Sequence, residues 1–193
     1  GSGFLGSHLA DLLSSKKYLV TIFDKKKSIY LKNNQKIIIG DITKKKDVEK
    51  AIKNSDIVFH FAGISDIEES NLNPTLAVYQ NIYGTSLILD ACKKYKVKKF
   101  FFASSIYVFS KLGGIYKTTK ESGELLIENY GRIFNLDFVI LRFGSLYGER
   151  SNKNNSIYNF IYQALTTGKI IRKGSGNEIR EYIHVKDACD SCL

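Results

Sequence analysis

Residues 1–24 read GSGFLGSHLADLLSSKKYLVTIFD, and the fold is decided here. Gly1, Gly3 and Gly6 satisfy GxGxxG, and Ser7, His8, Leu9, Ala10, Leu12 and Leu13 continue as an amphipathic helix. Glycines allow a tight turn and close approach of a backbone to a pyrophosphate, while the helix N-terminus offers N–H groups and a partial positive charge. An inert glycine-rich loop is the alternative reading of these six residues. Asp24 argues against it, because it closes the next β-branched run 18 residues after Gly6 (24 minus 6), near the spacing of about 20 at which an acid binds adenosine ribose. A carboxylate there accepts from both ribose hydroxyls and repels a 2′-phosphate, which favours NAD over NADP. Lys25, Lys26 and Lys27 soften that repulsion. Asp41, after Ile37 to Gly40, stands at another strand end within reach of an adenine amino group; a helix cap before Lys44 to Lys53 is the equal alternative.

Beyond this unit, short β-branched and aromatic runs alternate with helical patterns. Tyr18 to Phe23, Lys36 to Ile39, Asp56 to Phe61, Lys99 to Ala103 and Phe138 to Arg142 read as strands; Leu9 to Ser14, Asp47 to Lys53, Thr75 to Tyr95 and Tyr116 to Phe134 read as helices. Strict alternation implies βαβ units and an α/β fold, a Rossmann-type doubly wound parallel sheet covered on both faces. After Tyr147 the chain turns polar (Ser151 to Asn155), with one helix from about Ile157 to Thr166 and a glycine-rich stretch at Gly174 to Gly176. The expected division is a nucleotide-binding domain over 1–147 and the beginning of a smaller C-terminal substrate lobe over 148–193, including a segment that returns to the first domain. The chain opens at the turn that follows a first strand and has no methionine, so a fragment lacking that strand and the C-terminal part is expected, impaired in isolation.

The formal charge of +10 raises the question of nucleic acid, because clustered cations release counterions from phosphates. Only five of the 29 basic residues are arginine, and the lysines lie in short scattered groups, which reads as a solvated face and excludes a dedicated phosphate grip. No apolar run approaches the roughly 18 residues of a membrane span. Three cysteines are too few for a disulfide scaffold, and the CxxC of Cys189 and Cys192 lacks two further ligands for zinc, so a soluble, cytoplasmic, metal-free protein is expected.

Tyr116 and Lys120 form YxxxK, which puts both on one helix face. An ammonium beside a phenol favours the phenolate, so Tyr116 is expected to titrate well below its usual value near 10 and act as a base. The helix follows a strand ending in Ala103, Ser104 and Ser105, from which a serine hydroxyl can hydrogen-bond the oxygen being deprotonated.

With these elements together the chain resembles the extended short-chain dehydrogenase/reductase family, and within it the NAD-dependent nucleotide-sugar epimerases and dehydratases of the UDP-glucose 4-epimerase kind. The resemblance is carried by GSGFLGSHL at the start, GDI at 40–42, HFAG at 60–63, NIYGT at 81–85, ASSIYVF at 103–109, YKTTK at 116–120, LRFGSLYG at 141–148 and REYIHVKD at 180–187. It implies Ser105, Tyr116 and Lys120 as the catalytic set, with Lys120 also holding the nicotinamide ribose. It implies an NAD site drawn from Gly1, Gly3, Phe4, Leu5, Gly6, Asp24, Asp41, Ile42, Phe61, Ala62, Gly63, Asn81 and Phe143, with Asn81 foremost a structural amide. A nucleotide-sugar site would draw on Ser65, Ser105, Ser145 and Arg180, the last facing the diphosphate. A homodimer is implied for the full-length enzyme.

The 4,6-dehydratases of this family carry an Asp-Glu pair just after the active-site hydroxyl residue; here those places hold Ile106 and Tyr107. Epimerisation at C4 through a transient 4-keto sugar needs only reversible hydride transfer and is the leading expectation. A 4-reductase or dehydrogenase, a 4,6-dehydratase and, from another class, a non-catalytic NAD-binding scaffold are the alternatives. The interval from Ser105 to Tyr116 is shorter than in galactose epimerases, and Ser145 stands where many relatives have asparagine, so the sugar stays open.

Overall fold

A computed structural model describes residues 1–172 and 174–193. The chain divides into two compact units, Gly1–Arg142 and Phe143–Leu193, five residues before the composition change at Tyr147.

In the first unit, α1 (Phe4–Ser15) leads into β1 (Val20–Asp24), which pairs in parallel with β2 (Gln35–Ile39), Val20 opposite Gln35 and Asp24 opposite Ile39. After α2 (Lys45–Ile52), β3 (Ile57–His60) pairs in parallel with β4 (Lys99–Ser105), His60 opposite Phe102, and β5 (Asp137–Phe143) lies on the far side of β4. The strands form the orders β1-β2 and β3-β4-β5, with β1 parallel to β2 and β3 parallel to β4, as βαβ units require. The α/β fold class is thereby borne out.

β4 is buried along nearly its whole length, as a strand covered by helices on both faces must be. Phe100 and Phe102 of this strand pack with Ile88 and Leu89 of α5 (Gly84–Lys94), Ile127 of α6 (Gly114–Phe134) and Val48 of α2 to form the core. Gly123 lets α6 come this close, because a Cβ there would sit 2.7 Å from the Phe102 ring. α6 ends at Asn135, left-handed at φ 56°, a conformation asparagine tolerates.

Three features depart from the sequence reading. The expected helix over Thr75 to Tyr95 is α4 (Pro74–Val78), a π-helical turn (Tyr79–Tyr83) and α5 in succession. A short α3 (Ile67–Leu72) precedes it, capped by Asp66, whose carboxylate accepts from Glu69 N–H at 2.8 Å. β4 runs on to Ser105, so both serines belong to the strand, and a 3₁₀ turn (Ile106–Phe109) follows.

In the second unit, β6 (Ser145–Tyr147) pairs in parallel with β7 (Tyr182–His184) across α7 (Ser156–Thr167), and α8 (Val185–Asp190) follows β7. Among the described residues no helix is long and apolar enough to cross a membrane.

Candidate active site

The glycine turn divides its labour by position. A Cβ on Gly6 would fall 2.6 Å from the Gly1 carbonyl oxygen, and one on Gly1 would fall 2.7 Å from the Ile22 side chain, so these two glycines serve close packing. A Cβ on Gly3 would meet nothing within 4 Å. Gly3 is the N-cap of α1; no side chain caps this helix and no acid stands in its first turn, so its positive end faces the open side of the turn. That arrangement fits a pyrophosphate. Phe4 and Leu5 form the first turn of α1, Leu5 turned into the core.

Asp24 ends β1 beside this turn. Its carboxylate accepts from the N–H groups of Ser2 at 2.8 Å and Lys26 at 3.1 Å. Burial works to raise its pKa, and these two N–H donors work to lower it. Asp41 accepts from Thr43 N–H at 2.9 Å and Thr43 hydroxyl at 2.8 Å, with Lys25 Nζ 3.4 Å away. Lys25, one of three lysines expected to soften repulsion at Asp24, is thus paired to Asp41. The adjacent Ile42 is buried against Gly84.

Phe61, Ala62 and Gly63 follow β3 directly and so emerge beside Ala103 to Ser105, since His60 and Phe102 are in register. Gly63 takes φ +147°, and a Cβ there would lie 2.6 Å from Asn81 Oδ1. Asn81, buried within the π-helical turn, accepts from Ile64 N–H at 2.8 Å and donates to Ile64 O at 2.9 Å and Thr119 Oγ1 at 3.0 Å. Both its side-chain donors are engaged, which makes it a brace under the loop that follows β3 and leaves its amide no N–H for a ligand. Thr119 in turn donates to the Tyr116 carbonyl at 2.8 Å. On the other side, Thr85 donates to the Asn81 carbonyl, so its single proton is used and His60 Nε2, 2.8 Å away, is the donor to Thr85. Burial, then the nearby charge of Lys120, pushes the His60 pKa down to about 3 and keeps the ring neutral. The buried polar residues His60, Thr85 and Thr119 were not singled out in the sequence; each looks like an ordinary core-facing position until the network is seen.

Ser105, Tyr116 and Lys120 converge, all nearly buried. The Ser105 hydroxyl accepts from Tyr107 N–H at 3.2 Å and lies near enough to the Tyr116 phenol to work toward lowering its pKa, and Tyr107 packs edge-on against the Tyr116 ring with centroids 6.4 Å apart. Lys120 Nζ donates to the Ala103 carbonyl at 2.8 Å and lies 4.9 Å from the Phe102 ring centroid and 5.7 Å from that of Tyr116. Burial pulls the Lys120 pKa down to about 8. Tyr116 departs from expectation: burial raises its pKa above the usual phenol value, the Ser105 hydroxyl only partly offsets this, and Lys120 is bound to a carbonyl. The desolvation penalty on a phenolate exceeds what these neighbours return.

Ser65 is exposed between β3 and α3. In the second unit, Phe143 and Gly144 precede β6, Ser145 N–H donates to Glu181 O at 2.8 Å, and Arg180 is exposed just before β7. Among the described residues no group of three or more His, Cys, Asp or Glu could hold a metal, and Cys189 and Cys192 are buried thiols.

All 193 residues match the NAD dependent epimerase/dehydratase family. The chain is 31% identical over 216 residues to a putative UDP-glucose 4-epimerase of Methanocaldococcus jannaschii, spanning 100% of this chain and 70% of that protein. In structure it is similar to the Thermus thermophilus UDP-glucose 4-epimerase complex with NAD, with TM-score 0.89 and 26% identity over 99% of this chain and 70% of that one. It is also similar to a Methanobrevibacter ruminantium UDP-N-acetylglucosamine 4-epimerase in complex with UDP-N-acetylmuramic acid, with TM-score 0.88 and 28% identity over 98% and 68% of the two chains.

Proposed function

The chain belongs to the NAD dependent epimerase/dehydratase family, and from that premise we propose that the enzyme inverts C4 of a nucleotide-activated sugar through a transient 4-keto intermediate. The observation that carries this reading is the meeting of the Ser105 hydroxyl with the Tyr116 phenol, one helical turn from the Lys120 ammonium.

The Gly1 to Gly6 turn would hold the pyrophosphate of NAD, Asp24 the adenosine ribose, and Phe61 to Gly63 the nicotinamide side. NAD, when bound, would supply a reversible hydride acceptor and, in its oxidised form, a positive charge. Tyr116 takes the proton of the sugar 4-hydroxyl and gives it back after the ketone has turned its other face. Ser105 donates a hydrogen bond to the same oxygen while its charge develops. Lys120 is an ammonium held on the Ala103 carbonyl one helical turn from the phenol, and the further positive charge of oxidised nicotinamide would favour the phenolate. Ser65, Ser145 and Arg180 are assigned to the sugar and its diphosphate.

Elimination of water would require a further acid and base beside the hydroxyl residue. Ile106 offers none, and Tyr107 is a phenol packed on Tyr116, which favours epimerisation over dehydration. The test uses the full-length enzyme, UDP-glucose and UDP-N-acetylglucosamine, with C4 configuration followed by NMR. Formation of the galacto epimer without added coenzyme, and its loss in Tyr116→Phe, supports the proposal; stoichiometric use of external NAD(H) replaces it with a reductase or dehydrogenase.

A further inference from the structure

Behind Lys120 lies a charged cluster that the proposed chemistry does not use. Glu124, one turn along α6 from Lys120 and only 6% exposed, accepts from Arg142 Nε at 3.0 Å and Nη2 at 2.6 Å. It also accepts from the Ser104 hydroxyl at 2.5 Å. A buried carboxylate with no partners would be protonated or expelled. Here burial acts to raise the Glu124 pKa, and Arg142, Ser104 and Lys120 together outweigh it and keep the group ionised. Arg142 reaches in from β5 with its own side chain 40% exposed, so solvent screens much of its charge.

We propose that Glu124 is a positioning residue for the Ser105–Tyr116–Lys120 set, the counter-charge that keeps the buried Lys120 an ammonium. Among the described residues, Glu124 is the carboxylate that acts on Lys120. On its own helix are Tyr116 and Glu124; β4 contributes the Ala103 carbonyl and the Phe102 ring. β3 contributes His60, which is neutral, and β5 contributes Arg142, which is bonded to Glu124. Glu124 is the charged group whose field raises the Lys120 pKa against burial. The same carboxylate ties α6 to Ser104, the residue before Ser105, so charge and registry reach the site through one side chain.

The catalytic consequence rests on the proposed function, whereas the electrostatic one does not, and the experiment separates them. Full-length enzyme carrying ¹³Cε-lysine is titrated by NMR, with the Lys120 signal assigned by its loss in Lys120→Arg. Glu124→Gln is expected to lower the Lys120 titration by about one pH unit, and Glu124→Asp to restore most of it. The alkaline limb of kcat falls to lower pH in step. The double variant Glu124→Gln/Arg142→Gln removes both charges of the pair and decides the matter should Glu124→Gln alone not fold, its Lys120 titration again falling. An unmoved or raised Lys120 titration in either folded variant overturns the proposal. A shifted Lys120 in an enzyme that leaves C4 unchanged upholds the counter-charge and refutes the epimerase reading.

Discussion

Gly123→Ala sets two effects of known size against each other at the contact that seats the catalytic helix. Alanine in place of glycine inside α6 gains about 1 kcal/mol of helix propensity. The new Cβ, however, would stand 2.7 Å from Phe102 Cζ and 3.1 Å from Cε1, against about 3.5 Å for an unstrained carbon contact. Helix and ring must therefore separate by roughly 0.8 Å. Phe102 is 2% exposed and cannot swing away. Overpacking of this kind costs about 1–3 kcal/mol, so the net loss is about 1 kcal/mol, or a fall in Tm of roughly 2–4 °C for a chain of this size. Activity suffers more than stability. Lys120 lies over the Phe102 ring and donates to Ala103, and Tyr116 meets Ser105 across the same interface. A displacement near 1 Å in such a set costs on the order of 10²-fold in rate. Differential scanning calorimetry and kcat for the full-length variant check this. A rise in Tm with unchanged kcat would refute the claim that close approach at Gly123 places Tyr116 and Lys120.

Gly3→Ala is expected to leave the melting temperature within a degree or two and weaken NAD binding, because its Cβ meets no protein atom within 4 Å while pointing where the pyrophosphate would lie; calorimetric titration with NAD distinguishes the two effects. Gly63→Ala is expected to destabilise by about 1–3 kcal/mol in urea unfolding, since φ +147° disfavours a side chain and the Cβ would lie 2.6 Å from Asn81 Oδ1. His60 carries a pH signature: its folded pKa of about 3 lies below its unfolded value of about 6.5, so its contribution is fully present above pH 6.5 and is lost as pH falls toward 3. The slope of unfolding free energy against pH between 6 and 4 is therefore expected to flatten in His60→Gln; equal slopes would mean that His60 protonates freely in the folded state.

Much of this was legible because each signal has a local cause. The GxGxxG turn, Asp24 at a strand end and the YxxxK spacing need only backbone geometry and helical periodicity to be read. β4 was read short at Ala103, because serine has no strand preference and only burial between helices extends the strand through Ser105. The π-helical turn at Tyr79–Tyr83 has no sequence mark; it exists because Asn81 is held by Ile64 and Thr119, contacts 17 and 38 residues distant. α3 did leave a trace, Asp66 followed three residues later by Glu69, a capping pattern too short to stand out without a long apolar face. The pairing of β6 with β7 joins residues 37 apart in sequence, Ser145 with Tyr182, and the three-residue strands carry no periodicity of their own. Tyr116 misled for a related reason: spacing places the lysine on the correct face, but only coordinates show its ammonium bound to Ala103 and the phenol buried.

Tyr116, Ser105 and Lys120 are proposed to serve a hydride transfer that begins and ends at C4. Full-length enzyme supplied with UDP-[4-²H]glucose in ordinary water, followed by ²H and ¹H NMR, is expected to yield a galacto product that keeps its deuterium at C4. Replacement of that deuterium by solvent protons, or loss of water from the sugar with C4 left as a ketone, would overturn the proposal.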